Sequence, residues 1–383
     1  MTRVLYIGDP NSVHDHKWIT WFSNQPNFKV FLTAQEHEFQ KISEENLAFL
    51  EAHSISLTRP IKSYSLWRFW ENSESAKTIN EVIAKEKIDL VHVLFATPFA
   101  LWTRRLSIPS VITTRGSDIH VVLAGLGKGS LLKRIHGTIL LKKFKSAFEN
   151  ASVITSTSQG QLDKINSIFS TRINGEIIRT GVNVDEINSL EPKLELPPIF
   201  NGKKIIFLPR YIQPIYQTEL QIKAFTELPT ELRPKIALIF IKGKRTPEAY
   251  MNKIESLLKT CGLPYHIFES LTQHQMWSMF KLSAVSIMTP KTDGTPNSAL
   301  EAMAAKCPLI LGSFNYDGDL FSDEFCIRMK TNKASELTDL TSLAIDNYSI
   351  GRLENAFENV SIKGNRLVEM ERLEKLYLSL TKR

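Results

Sequence analysis

The sequence is poor in cysteine and lacks the long apolar runs of a membrane-spanning segment. Its three cysteines, Cys261, Cys307 and Cys326, are widely spaced and form no CxxC pair. They are too few for a disulfide framework and have no metal-ligand spacing, which excludes a disulfide-rich secreted module and predicts a reducing compartment. No run of about 18 apolar residues occurs, so the pattern predicts no transmembrane helix.

A secretory leader and a dinucleotide fingerprint are also missing. The amino-terminal MTRVLYIGDP enters a strand pattern directly, without the apolar run and cleavage site of a signal peptide, and so predicts a cytoplasmic protein. The glycine after this strand, Gly8, does not belong to a GxGxxG motif, which disfavours a dehydrogenase. Basic residues are not interleaved with aromatic ones as in nucleic-acid-binding domains, so we expect no nucleic-acid partner.

The sequence does contain enough apolar residues for ordinary cores. Its 383 residues are 43% hydrophobic and carry a formal net charge of +7. This hydrophobic content excludes a wholly disordered chain. At roughly 100–200 residues per domain, the length predicts two domains of similar size.

Short apolar runs alternate with amphipathic stretches through both halves of the chain. Runs such as RVLYIG, DLVHVLFA, KIIFLPR and AVSIMTP are nearly continuous, which is typical of strands buried on both faces of a parallel sheet. The alternation predicts an α/β fold of GT-B type, with two Rossmann-like, doubly wound parallel-sheet domains that face a central cleft. We predict an N-terminal domain at 1–187, a proline-rich and charged linker at 188–204, a C-terminal domain at 205–360, and a helix at 361–383 that can pack back towards the N-terminal domain.

The most informative segment is SIMTPKTDGTPNSALEAMAAKCPLIL, which begins at Ser286. A buried strand is predicted to end near Thr289, and a helix is predicted to begin near Ser298 after a turn-rich loop. This geometry presents backbone N–H groups to an anion, and a helix N-terminus carries about half a positive charge. Ser298 and Glu301 match an S-x-x-E capping box, and Gly294 allows a positive φ or a close backbone approach to a ligand.

Two acids, Asp293 and Glu301, flank the start of this helix. An acid in the loop can accept hydrogen bonds from sugar hydroxyls, and an acid in the first helical turn can do the same for a ribose. The N–H groups between them can hold a diphosphate. Each acid also has a purely structural interpretation, since Glu301 fits a helix cap and Asp-Gly is common in turns. The spacing by itself leaves both interpretations open.

With their flanking segments, these residues resemble the retaining family 4 glycosyltransferases of GT-B fold, the glycosyl transferases group 1. The acid-x7-Glu spacing followed by AMAAKCPLI resembles the family signature, whose first acid is usually Glu. VITTRGSDI, ASVITSTSQGQLDKI and IIRTGVNVD resemble the family's N-terminal segments, and FLPR places Arg210 where the family has an arginine. The resemblance extends over nearly the whole chain.

The resemblance implies that the second domain binds a nucleotide-sugar donor as a substrate, with no cofactor and no metal. Glu301 would bind the ribose, and Asp293 would hold the donor sugar together with the loop N–H groups. Arg210 would contact the diphosphate, and its planar guanidinium suits phosphate oxygens. The predicted donor-binding residues are Arg210, Tyr216, Lys242, Asp293, Gly294, Thr295, Pro296, Asn297, Ser298 and Glu301.

Two positions depart from the family pattern. Asp293 is one methylene shorter than the usual Glu, which can displace the sugar contact or change the donor. Tyr216 stands where the family has a lysine, so the diphosphate loses an ion pair unless Lys242, Lys244 or Arg245 supplies the charge.

Two loops of the first half are predicted to bind the acceptor. GDPNSVHDHKW follows the first strand, and TTRGSD lies, by the resemblance, near the donor sugar. The HDH sequence is predicted to lie in a loop, without the helical spacing of a zinc site. The DGD sequence at Asp317–Asp319 is interpreted as a chance match to the DxD motif of metal-dependent glycosyltransferases. A salt-bridged loop is the alternative for TTRGSD. The predicted acceptor residues are Gly8, His14, His16, Arg115, Gly116 and Ser117, and the predicted catalytic residues are Asp293, Arg210 and Asp118.

The stretch from Ile119 to Phe148 contains no acidic residue. Its basic residues are Lys128, Lys133, Arg134, Lys142, Lys143 and Lys145. A basic amphipathic helix can lie on an anionic membrane surface, and the alternative is a solvated face over a buried helix. The first interpretation adds a peripheral location at the inner face of the membrane to the cytoplasmic prediction.

We therefore predict a retaining, metal-independent hexosyltransferase that moves a sugar from a nucleotide-sugar donor to a glycan or lipid-linked glycan acceptor, in cell-envelope polysaccharide synthesis. Two alternatives remain open at this point. One is a non-catalytic nucleotide-sugar-binding protein, which the departures at Asp293 and Tyr216 motivate. The other is a GT-B nucleotide-sugar epimerase, although the sequence does not clearly supply catalytic acids on both sides of the sugar.

Overall fold

The computed structural model describes residues 1–64, 72–243, 246–314 and 316–382, and it divides the chain into two compact units. Unit 1 comprises Met1–Thr180 and the chain from Glu369 onward, and unit 2 comprises Gly181–Val368. The division falls at Thr180 and not at the predicted residue 187, because the apolar residues Val182, Val184 and Ile187 pack into a core of unit 2. The predicted fold class is confirmed, since each unit is built on its own parallel sheet.

Unit 1 contains a sheet of seven described strands in the order β3-β2-β1-β4-β5-β6-β7. The strands are β1 (Thr2–Ile7), β2 (Phe28–Thr33), β3 (Ser56–Leu57), β4 (Leu90–Val93), β5 (Ser110–Thr114), β6 (Val153–Ser156) and β7 (Gly175–Ile177). The helices between them are α1 (Val13–Ser23), α2 (Glu36–Phe39), α3 (Glu44–Ala52), α4 (Asn72–Glu86), α5 (Ala96–Phe99), α6 (Leu131–Asn150) and α7 (Gln159–Phe169). All strand pairs are parallel, and β1 lies between β2 and β4, where the strand order reverses.

Unit 2 repeats this plan with the strand order β10-β9-β8-β11-β12-β13. Its strands are β8 (Lys204–Tyr211), β9 (Ile236–Ile241), β10 (Tyr265–Phe268), β11 (Val285–Met288), β12 (Leu309–Leu311) and β13 (Ile327–Arg328). Its helices are α8 (Val184–Ser189), α9 (Thr218–Thr226), α10 (Glu248–Cys261), α11 (Gln273–Leu282), α12 (Asn297–Ala304), α13 (Ala334–Asn347) and α14 (Ile350–Lys363). The order reverses at β8, so the crevice beyond the carboxyl ends of β8 and β11 is where an open α/β sheet binds ligands.

The last helix, α15 (Arg366–Thr381), packs on the sheet of unit 1. Its buried residues Met370, Leu373 and Tyr377 join the cluster formed by the apolar face of β1 and α1. The Tyr377 ring is stacked on Phe22, with 4.6 Å between the ring centroids. Within the described ranges, no helix is both long and apolar enough to cross a membrane.

A buried polar chain links α15 to the middle of this sheet. The Tyr377 hydroxyl contacts His92 Nδ1 and lies 3.2 Å from the Tyr6 hydroxyl. His92 Nε2 lies 2.6 Å from Thr113 Oγ1. Burial lowers the pKa of His92 to about 3, and the nearby Arg115 cation acts in the same direction. The imidazole is therefore neutral in the folded protein, with one ring nitrogen donating and the other accepting.

This neutral histidine predicts a loss of stability in mild acid. The unfolded chain protonates His92 near its ordinary pKa of 6.5, whereas the native state does not do so above pH 3 or thereabouts. The free energy of unfolding should thus fall by about 1.4 kcal/mol per pH unit as the pH falls from 6.5 towards 3. Denaturant titrations of wild type and His92→Gln at pH 7 and pH 5 measure this, and the stability advantage of wild type should shrink by about 2 kcal/mol. An advantage that is equal at both pH values would mean that the native imidazole takes up the proton.

Candidate active site

The segment between β11 and α12 has the predicted order of strand, loop and helix, but its capping differs from the prediction. The helix begins at Asn297, next to the predicted start. The predicted capping box is wrong, because Pro296 occupies the N-cap with φ −66° and ψ 119°, and no side chain caps the helix. Ser298 therefore lies inside the first turn, where its hydroxyl donates to Met288 Sδ at 3.4 Å. Glu301 lies in the second turn instead of the first.

Arg210, near the carboxyl end of β8, connects the residues around this helix start. Its Nη1 donates to Ser298 Oγ at 3.2 Å, and its Nη2 donates to the Tyr216 hydroxyl at 3.1 Å. The same Nη2 lies 3.0 Å from Asp293 Oδ2. Burial acts to lower the pKa of Arg210, but the Asp293 carboxylate and Tyr216 outweigh it, and the net pKa is raised. A permanent cation is thus fixed beside the N-terminus of α12.

Asp293 keeps part of its hydrogen-bonding capacity unused. Its Oδ1 accepts from the backbone N–H of Gly294 at 2.9 Å. Its Oδ2 is ion-paired with Arg210 but accepts no hydrogen bond of good geometry from the described part of the chain. A buried carboxylate oxygen usually has a hydrogen-bond donor. Asp293 Oδ2 therefore has a lone pair that no donor of good geometry in the described part of the chain uses.

Glu301 is held between two helices. Its side chain is buried, with the residue 6% exposed, and its Oε1 accepts from Gln273 Nε2 at 2.8 Å. Gln273 is the first residue of α11, so this contact joins α11 to α12. The carboxylate is thereby kept in one orientation.

The loop after β8 and the loop after β11 are tied together. Gln217, at φ +55°, donates from Nε2 to the Thr289 carbonyl at 2.7 Å. Thr289 Oγ1 donates to the Tyr216 carbonyl at 3.2 Å, and the Lys291 N–H donates to the Ile215 carbonyl at 2.7 Å. These bonds fix Arg210 and the α12 loop relative to each other, which is the preorganisation that charge stabilisation requires.

The other predicted donor-binding positions fall into three groups. Gly294 and Pro296 are buried in the loop, and Thr295 and Asn297 are partly buried beside them. Lys242 pairs instead with Glu269, with 3.0 Å between Nζ and Oε1, so the structure does not join it to the Arg210 cluster. Lys244 and Arg245 lie outside the described residues.

Two residues near this cluster have no counterpart in the sequence-based prediction, Tyr316 and Arg328. The Tyr316 hydroxyl is buried and has no hydrogen-bond partner among the described residues. Burial raises the pKa of Tyr316, and the Asp293 carboxylate raises it further, although Arg210 and Arg328 oppose this. Arg328, on β13, has its guanidinium carbon 6.0 Å from the Tyr316 ring centroid. Neither residue belongs to a sequence motif. The one feature of the sequence that could have indicated Arg328 is the position of an arginine inside the apolar run FCIRMK.

In unit 1, the predicted acceptor loops are joined by an ion pair. Arg115 Nη1 lies 2.6 Å from Asp15 Oδ1, and the two side chains are 18% and 5% exposed. Asp15 Oδ2 accepts from the Asp9 N–H at 2.8 Å. A Cβ at Gly8 would lie 2.5 Å from the same oxygen, so any other residue there would have to displace the Asp15 carboxylate. The salt-bridged alternative for TTRGSD is therefore present in the structure, and the sequence did not single out Asp15 as its partner.

The two histidines of HDH do not lie in a loop, so that prediction is wrong. Val13 begins α1, and both histidines are in its first turns, where residues two apart point to different sides. His14 is exposed. His16 is buried, with Nε2 2.7 Å from the Pro10 carbonyl and its ring stacked on Phe49. Only His14 is accessible to a ligand at its side chain.

Asp118 is fully buried, which changes its predicted role. Its carboxylate accepts backbone N–H bonds from Ala96 at 3.1 Å, from Arg115 at 3.1 Å and from Gly116 at 2.9 Å. Burial raises its pKa, against the opposing effect of these bonds. Gly116 adopts φ +109°, and Ser117 is exposed at the tip of the loop. Asp118 thus holds the loop from inside and does not present its oxygens to a substrate.

The Asp317–Asp319 segment forms a local turn, in which the Asp319 N–H lies 3.3 Å from Asp317 Oδ1. Across residues 1–64, 72–243, 246–314 and 316–382, no three His, Cys, Asp or Glu side chains come together as metal ligands would. The absence of a metal from the reaction stays a prediction.

Comparison with known proteins matches both halves of the chain to glycosyltransferases. The family described as glycosyl transferase 4-like matches residues 3–158, and the family described as glycosyl transferases group 1 matches residues 195–359. No curated protein matches the chain.

Several solved structures share this fold over nearly the whole chain. A glycosyltransferase from Rickettsia africae superposes with a TM-score of 0.77 at 14% identity, covering 100% of this chain and 99% of the other. HepE of Anabaena, solved with UDP-glucose, gives a TM-score of 0.71 at 12% identity over 99% and 100%. Sucrose-phosphate synthase of Thermosynechococcus elongatus gives 0.72 at 14% identity over 99% of each chain. At these identities the likeness shows the fold, and together with the two family matches it means that this chain belongs to the glycosyltransferases of GT-B fold.

Proposed function

We propose that this glycosyltransferase is a retaining, metal-independent hexosyltransferase that uses a nucleotide-sugar donor and a glycan or lipid-linked glycan acceptor in cell-envelope polysaccharide synthesis. The observation that carries the proposal is the position of Arg210, whose guanidinium contacts both Asp293 and Ser298 at the start of α12. This places a fixed cation, a helix N-terminus and a partly unsatisfied carboxylate within one small region at the carboxyl ends of β8 and β11.

The donor diphosphate is proposed to lie at the start of α12. The first N–H groups of a helix have no partner inside the helix, and they favour phosphate oxygens together with the helix dipole. Arg210 adds a fork of N–H donors that matches phosphate geometry. Glu301 is proposed to accept hydrogen bonds from the ribose, and Asp293 Oδ2 to accept one from a hydroxyl of the sugar.

In this proposal the protein accelerates the reaction mainly by stabilising the leaving group. Negative charge grows on the diphosphate as the bond to the sugar breaks, and a preorganised cation costs no reorganisation at that moment. Arg210 stays protonated at every working pH, since its pKa is raised from an already high value. Retention of the anomeric configuration follows from the family resemblance, in which the leaving phosphate helps to deprotonate the incoming hydroxyl on the same face.

The acceptor is proposed to bind unit 1 at the loop held by Asp118. Ser117 is exposed there, and Arg115 is held in place by Asp15. These polar groups can orient a sugar hydroxyl. Gly8 and His14 belong to the neighbouring loop and the start of α1, and we keep them in the proposed acceptor site; buried His16 supports that loop from behind.

A thermal-shift panel of nucleotides and nucleotide sugars tests the donor, starting with UDP and UDP-glucose because HepE was solved with them. A true donor should stabilise the protein by about 2.7 kcal/mol at a concentration of about 100 Kd. Release of free nucleotide that depends on acceptor would support transfer, and NMR of the product would report the anomeric configuration. Binding without release would indicate a non-catalytic binding protein, and a changed sugar still attached to its nucleotide would indicate an epimerase. Activity that survives EDTA would support a metal-independent reaction.

A further inference from the structure

Unit 1 carries an exposed apolar surface that its own fold does not use. It is formed by the helical turn Asp118–Leu123 and the first half of α6, and we call it the α6 patch. Its exposed apolar residues are Val121, Val122, Leu131, Leu132, Ile135 and Ile139. Their exposed fractions run from 39% at Ile139 to 73% at Leu132. Isolated exposed apolar side chains are common, but four of them on the first half of α6 indicate an interaction surface.

The α6 patch is a second apolar stripe on a helix that already has a buried one. At about 100° per residue, Leu131, Leu132, Ile135 and Ile139 fall within an arc of about 100°. The buried residues Leu140 and Phe144 lie on the opposite side of the helix. The core therefore does not account for the exposed stripe.

The charge around the α6 patch is mostly basic, although Lys145 pairs with Glu149 near the end of α6. Between Ile119 and Phe148 there is no Asp or Glu, and the same stretch contains six lysines and arginines. On the helical wheel, Arg134 and Lys145 lie on one side of the stripe, Lys143 lies on the other, and Lys142 lies within it. Lysine is depleted at the cores of protein interfaces, so this mixture of leucine, isoleucine and lysine fits a protein partner poorly.

The geometry of the α6 patch is fixed by a close contact between two glycines. A Cβ at Gly137 would lie 2.1 Å from the backbone nitrogen of Gly127, so the loop before α6 rests directly on the helix. The exposed apolar side chains at the start of α6 therefore lie on a helix that is packed against the preceding loop.

We infer that the α6 patch is a docking surface for an anionic phospholipid bilayer. The apolar stripe would enter the boundary between headgroups and acyl chains, and the flanking bases would lie among the lipid phosphates, which is how basic amphipathic helices bind membranes. Docking of this kind needs no membrane-spanning helix.

The position of the α6 patch also bears on the acceptor. Gly116 and Ser117 lead directly into the turn that carries Val121 and Val122, and Asp118 anchors both. A docked membrane would thus lie next to the proposed acceptor loop, which favours a lipid-linked acceptor over a free glycan. This second step rests on the proposed function, whereas the docking itself does not.

Vesicle flotation tests the docking. The probe is phosphatidylcholine vesicles containing about one third phosphatidylglycerol, an anionic fraction that attracts basic surfaces. We expect wild type to co-float at low salt, and to do so about tenfold less with pure phosphatidylcholine or at high salt. The double variant Leu131→Ser/Leu132→Ser should lose at least about tenfold of this binding.

The matched control removes exposed apolar side chains from unit 2. Ile350 and Ile362 are 76% and 68% exposed, and the variant Ile350→Ser/Ile362→Ser should float like wild type. Failure of wild type to float, or equal losses in the two double variants, would overturn the inference. So would a dimer that Leu131→Ser/Leu132→Ser abolishes in the absence of vesicle binding, because the patch would then serve self-association.

The same samples separate docking from the proposed function. Nucleotide-sugar binding by thermal shift should be unchanged in Leu131→Ser/Leu132→Ser, because the variant lies in unit 1 and the donor is assigned to unit 2. Flotation without any nucleotide-sugar binding would leave the docking surface standing while the proposed function fails.

Discussion

Replacing Arg210 with alanine is expected to lower kcat/KM for the nucleotide-sugar donor by about 10²- to 10³-fold, the usual cost of removing one preorganised donor from a site where charge develops. The loss should fall mainly on kcat, since the growing charge of the diphosphate is a property of the transition state. Arg210→Lys should recover only part of the activity, because lysine keeps the charge but lacks the fork that reaches Ser298 and Asp293 together. Steady-state kinetics with the donor identified by thermal shift measures both variants.

Lys253→Ala is the matched control for Arg210→Ala. Lys253 is also a paired cation of unit 2, with Nζ 2.7 Å from Glu219 Oε2, but both side chains are well exposed. Exposed pairs of this kind contribute about 0–1 kcal/mol, so its kinetics should match wild type. If Arg210→Ala kept wild-type kcat/KM, the diphosphate could not lie at the start of α12, and the site would have to be sought elsewhere.

Glu301→Gln is expected to reduce donor turnover by about 10²-fold or more, since a charged acceptor of ribose hydroxyls is replaced by a neutral amide. The substitution keeps the size of the side chain, and the amide oxygen can still accept from Gln273. Folding should therefore be little affected, and the loss can be assigned to the ligand. Thermal shift with the nucleotide should show weaker stabilisation in parallel, because the ribose belongs to the nucleotide and not to the transferred sugar.

Glu354→Gln offers the corresponding control in the neighbouring helix α14. Glu354 pairs with Lys306 at 2.7 Å on the surface of unit 2. Its replacement should leave both nucleotide affinity and turnover unchanged. If the turnover of Glu301→Gln stayed within about twofold of wild type, Glu301 would serve only to connect α11 and α12. The loss of a hydrogen bond between a ligand and a charged group lowers turnover by more than about twofold.

The sequence was most informative where local patterns determine structure. Nearly continuous apolar runs located most strands, and the segment from β11 to β12 was placed within a residue or two because a loop with Gly294 and Pro296 separates two clear patterns. The two-residue strand β3 escaped notice, since so short a run has no period. The capping box failed for a local reason, as Pro296 already provides an extended residue before the helix.

Contacts between distant segments could not be read from the sequence. Nothing in the pattern around Asp15 indicates that its partner is Arg115, and nothing around Tyr377 indicates His92. The burial of Asp118 could not be predicted either, because an acidic residue in a polar loop gives the same sequence pattern whether its side chain points inward or outward. The acid-x7-Glu spacing predicts a donor site at the start of α12, but the orientation of Arg210 towards Asp293 and Ser298 emerges only once β8 and β11 lie side by side.

The discontinuity of unit 1 has a consequence during translation. Unit 2 is one uninterrupted stretch, Gly181–Val368, whereas unit 1 needs α15 to cover the apolar face around Tyr6 and Phe22. The ribosome makes the sheet of unit 1 first but supplies its last helix only after all of unit 2. The apolar face of unit 1 therefore lacks α15 for as long as unit 2 is being synthesised. Unit 1 begins to emerge first but can complete its fold only last.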